Sequence, residues 1–207
     1  MDSAESVARA AARAIADGLA GGGSLALAGG TTPRRCYELL RELDVPWGRV
    51  TVLFGDERCL PPDDPDSNFR LARDALLGHV APLSVHRIPG ELGAEAAAAV
   101  YAGIVDGLRP LDLVLLGVGE DGHTASLFPG NAALAASGSA VAVHGAPKPP
   151  PDRVSLTLEV LREARRVLVL ATGAGKREAV AMARRGEVPS GMIPDAMWLI
   201  DEAAAGP

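Results

Sequence analysis

The segment Asp121-Gly-His-Thr-Ala-Ser126 sets a carboxylate, an imidazole and two hydroxyls within one short stretch, and these are side chains that move protons. Imidazole ordinarily titrates at about pH 6.5, where a group that takes a proton from water at neutral pH should titrate. A solitary histidine is by default structural, but His123 has company. The glycine turn of Gly117, Gly119 and Gly122 surrounds Glu120 and Asp121 just before it, and Thr124 and Ser126 follow it. That grouping points to a functional imidazole. The residues after His123 are expected to open a helix and to offer free backbone N–H groups. Gly117-Val-Gly-Glu-Asp-Gly122 also fits G-x-G-x-x-G, but no acidic residue about 20 positions later closes a second strand, so dinucleotide binding is set aside.

Other clusters suit an anion. Gly29-Gly-Thr-Thr-Pro33 joins a short apolar run to a segment of helical spacing. Pro33 suits a first helical turn and Thr31 or Thr32 its cap, so amides and hydroxyls would converge on a guest for which phosphate is the natural choice. The Gly-Lys-Ser/Thr of a nucleotide-binding loop is missing. Arg153 follows the stiff connector that starts at Lys148-Pro-Pro-Pro151. Lys176 closes Thr172-Gly-Ala-Gly-Lys176 in what reads as the first turn of a helix, where a cation opposes the helix dipole and an anion beside it would account for its placement. Gly55-Asp-Glu-Arg58 ends another apolar run and leads into a proline-rich loop reaching Asn68, of a length that usually serves function.

These clusters meet only if the elements between them are arranged suitably. Val7, Ala11, Ile15 and Leu19 make one apolar stripe on a helix over residues 2–20. Further helices carry Cys36 to Leu43, Phe69 to Leu76, and the stripe Leu92, Ala96, Val100, Ile104 and Leu108. Short apolar strands are read at 24–28, 50–54, 84–88, 113–116, 139–144, 154–158, 167–171 and 197–200. The residues from Asp201 on read as a short helix or a tail. Strands alternating with helices imply an α/β fold: a mostly parallel sheet with helices on both faces and right-handed crossovers, here a single domain over residues 1–207. In such a sheet the ends after Ala28, Phe54, Leu116 and Ala171 lie along one edge, so one site can collect every cluster.

With 207 residues, 48% of them hydrophobic, the chain can bury one substantial core. A net charge of −6 gives no general attraction for nucleic acid or an anionic membrane, and 3% aromatics leave little for stacking on bases. The expected partner is a small molecule, bound by a monomer or weak homo-oligomer. Cys36 and Cys59 form no C-x-x-C pair, and the candidate site holds one histidine with no ligand set at metal spacing, so neither metal nor other cofactor is expected. No apolar run approaches about 18 residues and the N-terminus lacks a signal peptide's pattern, which leads to the expectation of a cytoplasmic protein.

Taken in order, Gly29-Gly-Thr-Thr-Pro33, Gly55-Asp-Glu-Arg58 with Ser67-Asn68, Asp121-Gly-His-Thr-Ala-Ser-Leu-Phe-Pro129, Arg153-Val-Ser155 and Gly173-Ala-Gly-Lys176 resemble the motif series of 6-phosphogluconolactonases. The resemblance runs from about residue 20 to the end. It implies a Rossmann-like fold and metal-free hydrolysis of 6-phospho-D-glucono-1,5-lactone in the oxidative pentose phosphate pathway. It makes His123 the general base and gives Asp121 the task of orienting it. Arg58, helped by Asp56 and Asn68, would lie near the reacting ring and steady its developing negative charge. The phosphate would rest on Gly29, Gly30, Thr31 and Thr32, with Arg153 and Lys176 supplying charge. The rival enzyme by resemblance is glucosamine-6-phosphate deaminase, which carries a carboxylate five residues after its histidine, where this chain has Phe128, and a tyrosine where it has Arg58. A non-catalytic sugar-phosphate-binding domain is the rival of another class.

Overall fold

The computed structural model describes residues 1–206. Helix α1 (Ala4–Gly18) leads into β1 (Gly23–Leu27) and α2 (Thr31–Leu40), then β2 (Val50–Phe54), the short β3 (Asp56–Arg58) and α3 (Asn68–Ala72). After β4 (Ser84–Val85) come α4 (Ala94–Asp106), β5 (Leu113–Gly117), β6 (Ala140–Val143), β7 (Arg153–Leu156) and α5 (Leu158–Glu163). Strand β8 (Val167–Ala171), α6 (Arg177–Arg184), β9 (Met197–Ile200) and α7 (Glu202–Ala205) complete the order.

Six strands pair in parallel in the order β4-β2-β1-β5-β8-β9. Strands β1, β5 and β8, in its middle, are runs of Leu, Val and Ala buried along nearly their whole length, as strands covered on both faces must be. The chain builds outward from β1 to β2 and β4 on one side, and from β5 to β8 and β9 on the other. The order therefore reverses between β1 and β5, and a crevice opens at their carboxyl ends.

A second, antiparallel sheet, β3-β7-β6, was not separable in the sequence. Asp56 to Arg58, read there as a charged loop end, is a strand paired with Arg153 to Ser155. Its charge run is not solvated: Asp56 and Glu57 are both buried. Burial pushes the Glu57 carboxyl pKa up, opposed by the backbone N–H groups of Asn68, Phe69 and Arg58 that it accepts. With Ser67 Oγ as a fourth donor at 3.0 Å, this carboxylate gathers the proline-rich loop and the start of α3.

Two other expectations shift. The strand read at 84–88 pairs only over Ser84 and Val85. The stripe assigned to α4 is rotated: Leu92 and Val100 are 54% and 50% exposed, and the buried face is Ala97, Ala98, Tyr101 and Val105. An alanine-rich helix has apolar residues on several faces, and a tertiary contact chooses among them. Here Tyr101 Oη accepts from Phe54 N and donates to Phe54 O, both at 2.8 Å, at the end of β2.

Candidate active site

The crevice is a cleft of about 370 Å³, and each expected cluster reaches it through a different element. Gly29 and Gly30, after β1, line it beside Asp56 and Arg58 of β3 and Asn68 of α3. Gly117, Gly119, His123 and Phe128 come from the end of β5 and the turn beyond it, Arg153 from β7, and Lys176 from the turn before α6.

His123 Nδ1 lies 2.5 Å from Asp121 Oδ1, which also accepts the His123 backbone N–H at 3.1 Å. Gly119 explains how the turn closes so tightly: a side chain there would overlap the imidazole. Burial works to raise the Asp121 pKa, but the hydrogen bonds and charge of His123 outweigh it and hold the carboxyl below its ordinary value. With Nδ1 donating to that carboxylate, Nε2 keeps a lone pair. Phe128 packs on the imidazole with ring centroids 4.4 Å apart and is itself buried.

Asp56 has both oxygens engaged: Asn68 Nδ2 donates to one at 3.1 Å and Ser126 Oγ to the other at 2.6 Å. It ties the start of α3 to the loop carrying His123. Gly29 lets Asn68 approach, because a Cβ at Gly29 would overlap the Asn68 carboxamide. Arg58 lines the cleft and donates through Nη1 to Asp66 O, while its Nε is buried without a hydrogen-bond partner.

Arg153 is 5% exposed, yet its guanidinium faces no carboxylate within ion-pair distance among the described residues. It donates to Lys148 O at 2.8 Å and Pro150 O at 3.1 Å, and its Cζ lies 5.5 Å from the Phe128 ring centroid. Desolvation pushes its pKa down, with Arg58 adding to this and Asp56 opposing it. Lys176 ends a short 3-10 turn that abuts α6 and lines the cleft.

Several expectations need correction. Thr124 to Ser126 opens no helix; Thr124 and Leu127 form an isolated bridge around a tight turn with Ala125 at φ 49°. Neither Thr31 nor Thr32 caps α2: Gly30 holds that position at φ 107°, with both threonines inside the first turn. Their backbone amides still precede the first intrahelical bond, from Arg34 N–H to Gly30 O. The Thr32 hydroxyl is 2.7 Å from that of Thr172, which joins the turn after β1 to the turn after β8 rather than lining the cleft. Phe128, noted in the sequence only as standing where a deaminase has its carboxylate, and Lys148, to which the sequence assigned no site role, both line the cleft. Ser126, singled out with the histidine motif, is buried and bonded to Asp56.

Fold and cleft together define an open α/β protein whose sheet edge sets a histidine-carboxylate pair beside a cationic cleft. Residues 1–203 match the family of glucosamine-6-phosphate isomerases/6-phosphogluconolactonase, and the chain belongs to it. A Mycobacterium leprae protein named 6-phosphogluconolactonase is 39% identical over 195 residues, covering 81% of this chain and 78% of that one. The solved structure of 6-phosphogluconolactonase from Trypanosoma brucei superposes with a TM-score of 0.90 at 27% identity, over 99% of this chain and 95% of that one. A monomeric glucosamine-6-phosphate deaminase superposes with a TM-score of 0.86 at 26% identity, over 99% and 97%. Fold alone therefore does not separate the two activities.

Proposed function

We propose that this chain is a 6-phosphogluconolactonase, hydrolysing 6-phospho-D-glucono-1,5-lactone to 6-phosphogluconate in the oxidative pentose phosphate pathway. The observation that carries the reading is the pairing of Asp121 with His123, which lines the same cleft as four cations, Arg58, Lys148, Arg153 and Lys176. Water attacks the lactone carbonyl as His123 Nε2 takes its proton, and Asp121 fixes the tautomer that leaves Nε2 free. The tetrahedral intermediate then collapses with cleavage of the bond to the ring oxygen, which leaves as a hydroxyl on receiving the proton back from Nε2. Arg58, which lines the cleft, steadies the negative charge as it develops, with Asp56 and Asn68 setting the wall behind it. Arg153 and Lys176 hold the phosphate against the amides at Gly29, Gly30, Thr31 and Thr32, and this remote grip orients the ring.

Phe128 is what weighs against deamination. The carboxylate that the deaminase resemblance requires at that position is replaced by a buried ring packed on His123. The working form we take is a monomer or weak homo-oligomer. Cys36 and Cys59 are free thiols, which suits a reducing cytoplasm. Among the described residues no helix is long and apolar enough to cross a membrane.

The test is to generate the lactone enzymatically and follow proton release with and without the protein. A rate well above spontaneous opening, unchanged by prolonged chelation, is expected. No excess rate would leave only the non-catalytic binder, and ammonia release from glucosamine 6-phosphate would favour the deaminase.

A further inference from the structure

Glu120 lies in the turn after β5 and Lys148 at the head of the connector into β7. Lys148 Nζ lies 3.7 Å from Glu120 Oε2, and the two side chains are 69% and 65% exposed. Among the described residues neither side chain has another charged partner. The Lys148 carbonyl is fixed by Arg153, so its backbone is anchored at the cationic end of the cleft, whose wall it helps form. Glu120 lies at that end too: its Oε1 is 3.7 Å from where a Cβ on Gly175, the neighbour of Lys176, would stand. An exposed ion pair this long contributes almost nothing to stability. An ammonium on a phosphate dianion forms a stronger, charge-assisted bond. The pair is therefore cheap to break and lies where a phosphate would break it.

We propose, resting on the lactonase reading, that Lys148 is a further substrate-binding residue and that Glu120 is its resting counter-ion. The phosphate monoester of the incoming ligand takes the ammonium from Glu120, and Glu120 recovers it as product leaves. Glu120 thus weakens the binding of every phosphorylated ligand, product included, and it acts through Lys148.

A double-mutant cycle decides this, with Glu120→Gln removing the charge and Lys148→Met keeping the apolar stem. It is read as KM for the lactone and as calorimetric affinity for 6-phosphogluconate and for inorganic phosphate. Glu120→Gln should tighten both ligands about twofold to fivefold and lower KM, while Lys148→Met should weaken them roughly tenfold. The double variant should match Lys148→Met alone, because the glutamate has lost the group it competes for. If the gain from Glu120→Gln persists in the Lys148→Met background, Glu120 acts by general repulsion and the exchange is wrong. Unchanged phosphate affinity in Lys148→Met overturns the proposal outright. A wild-type protein without lactonase activity would bring down the functional reading instead, and the phosphate-binding cycle would still decide the exchange.

Discussion

The imidazole of His123 has one partner whose charge state is settled. Asp121 is held below its ordinary carboxylate value, so at neutral pH it is ionised and able to accept from the imidazole. A general base acts only in its unprotonated form, so activity should show an acid limb that rises with pH. His123→Asn should lower the chemical step by about 10²–10⁴-fold and abolish that limb. Phosphate recognition rests on other residues, so affinity for 6-phosphogluconate should change little; kinetics, calorimetry and a melting curve on one preparation check all of this. A folded variant with near-normal turnover would move the search for the base to Asp56 or Asp121. Arg153→Ala and Lys176→Ala should instead act on binding, since charge-assisted bonds contribute about 1.5–3 kcal/mol each. The double variant should lose its preference for phosphorylated over unphosphorylated lactone, and a retained ratio of the two rates would mean the phosphate site is misplaced. These residues were legible because glycine turns and motif order mark them locally. Phe128 was legible only as the residue standing where a deaminase has a carboxylate; its contact with His123 and Arg153 at once exists only in the fold.

Two buried tyrosines do the same work on neighbouring elements. Tyr37 of α2 closes the end of β1, accepting from Ala28 N at 2.8 Å and donating to Ala28 O at 2.7 Å. Tyr101 of α4 closes β2 in the same way. Each strand leads directly into cleft residues, so each hydroxyl sets where a wall of the site begins. Tyr101→Phe would leave the Phe54 N–H and C=O buried without their partner, and should destabilise the fold by about 1–3 kcal/mol in denaturant unfolding. An unchanged midpoint would show that the hydroxyl does not secure the strand end. The six parallel strands were readable because apolar runs between glycines are local signals. The second sheet was not, since Asp56 to Arg58 looks polar everywhere except beside Arg153 to Ser155. The rotated face of α4 has the same origin: the Tyr101 contact, not the alanine pattern, decides which side is buried.

Across the whole molecule, the cleft is built from both sheets at once. Gly29, Gly30 and His123 belong to turns leaving the parallel sheet, while Asp56, Arg58 and Arg153 belong to the antiparallel one. The bond from Ser126 to Asp56 crosses between these two sets, as does the contact of Arg153 with Phe128. A ligand gripping residues from both sheets must therefore stabilise them together. If the chain is one domain, as we take it to be, heating should give a single cooperative transition. Saturating 6-phosphogluconate at about 100 times its dissociation constant should add about 2.7 kcal/mol. For a chain of this length that raises the melting temperature by roughly 5–10 °C. At the same ligand concentration the Arg153→Ala, Lys176→Ala double variant should show a much smaller rise, because its occupancy falls with its affinity. Scanning calorimetry across a ligand series checks both points. Two transitions, only one of them moved by ligand, would mean that the sheets unfold separately and that the cleft does not couple them.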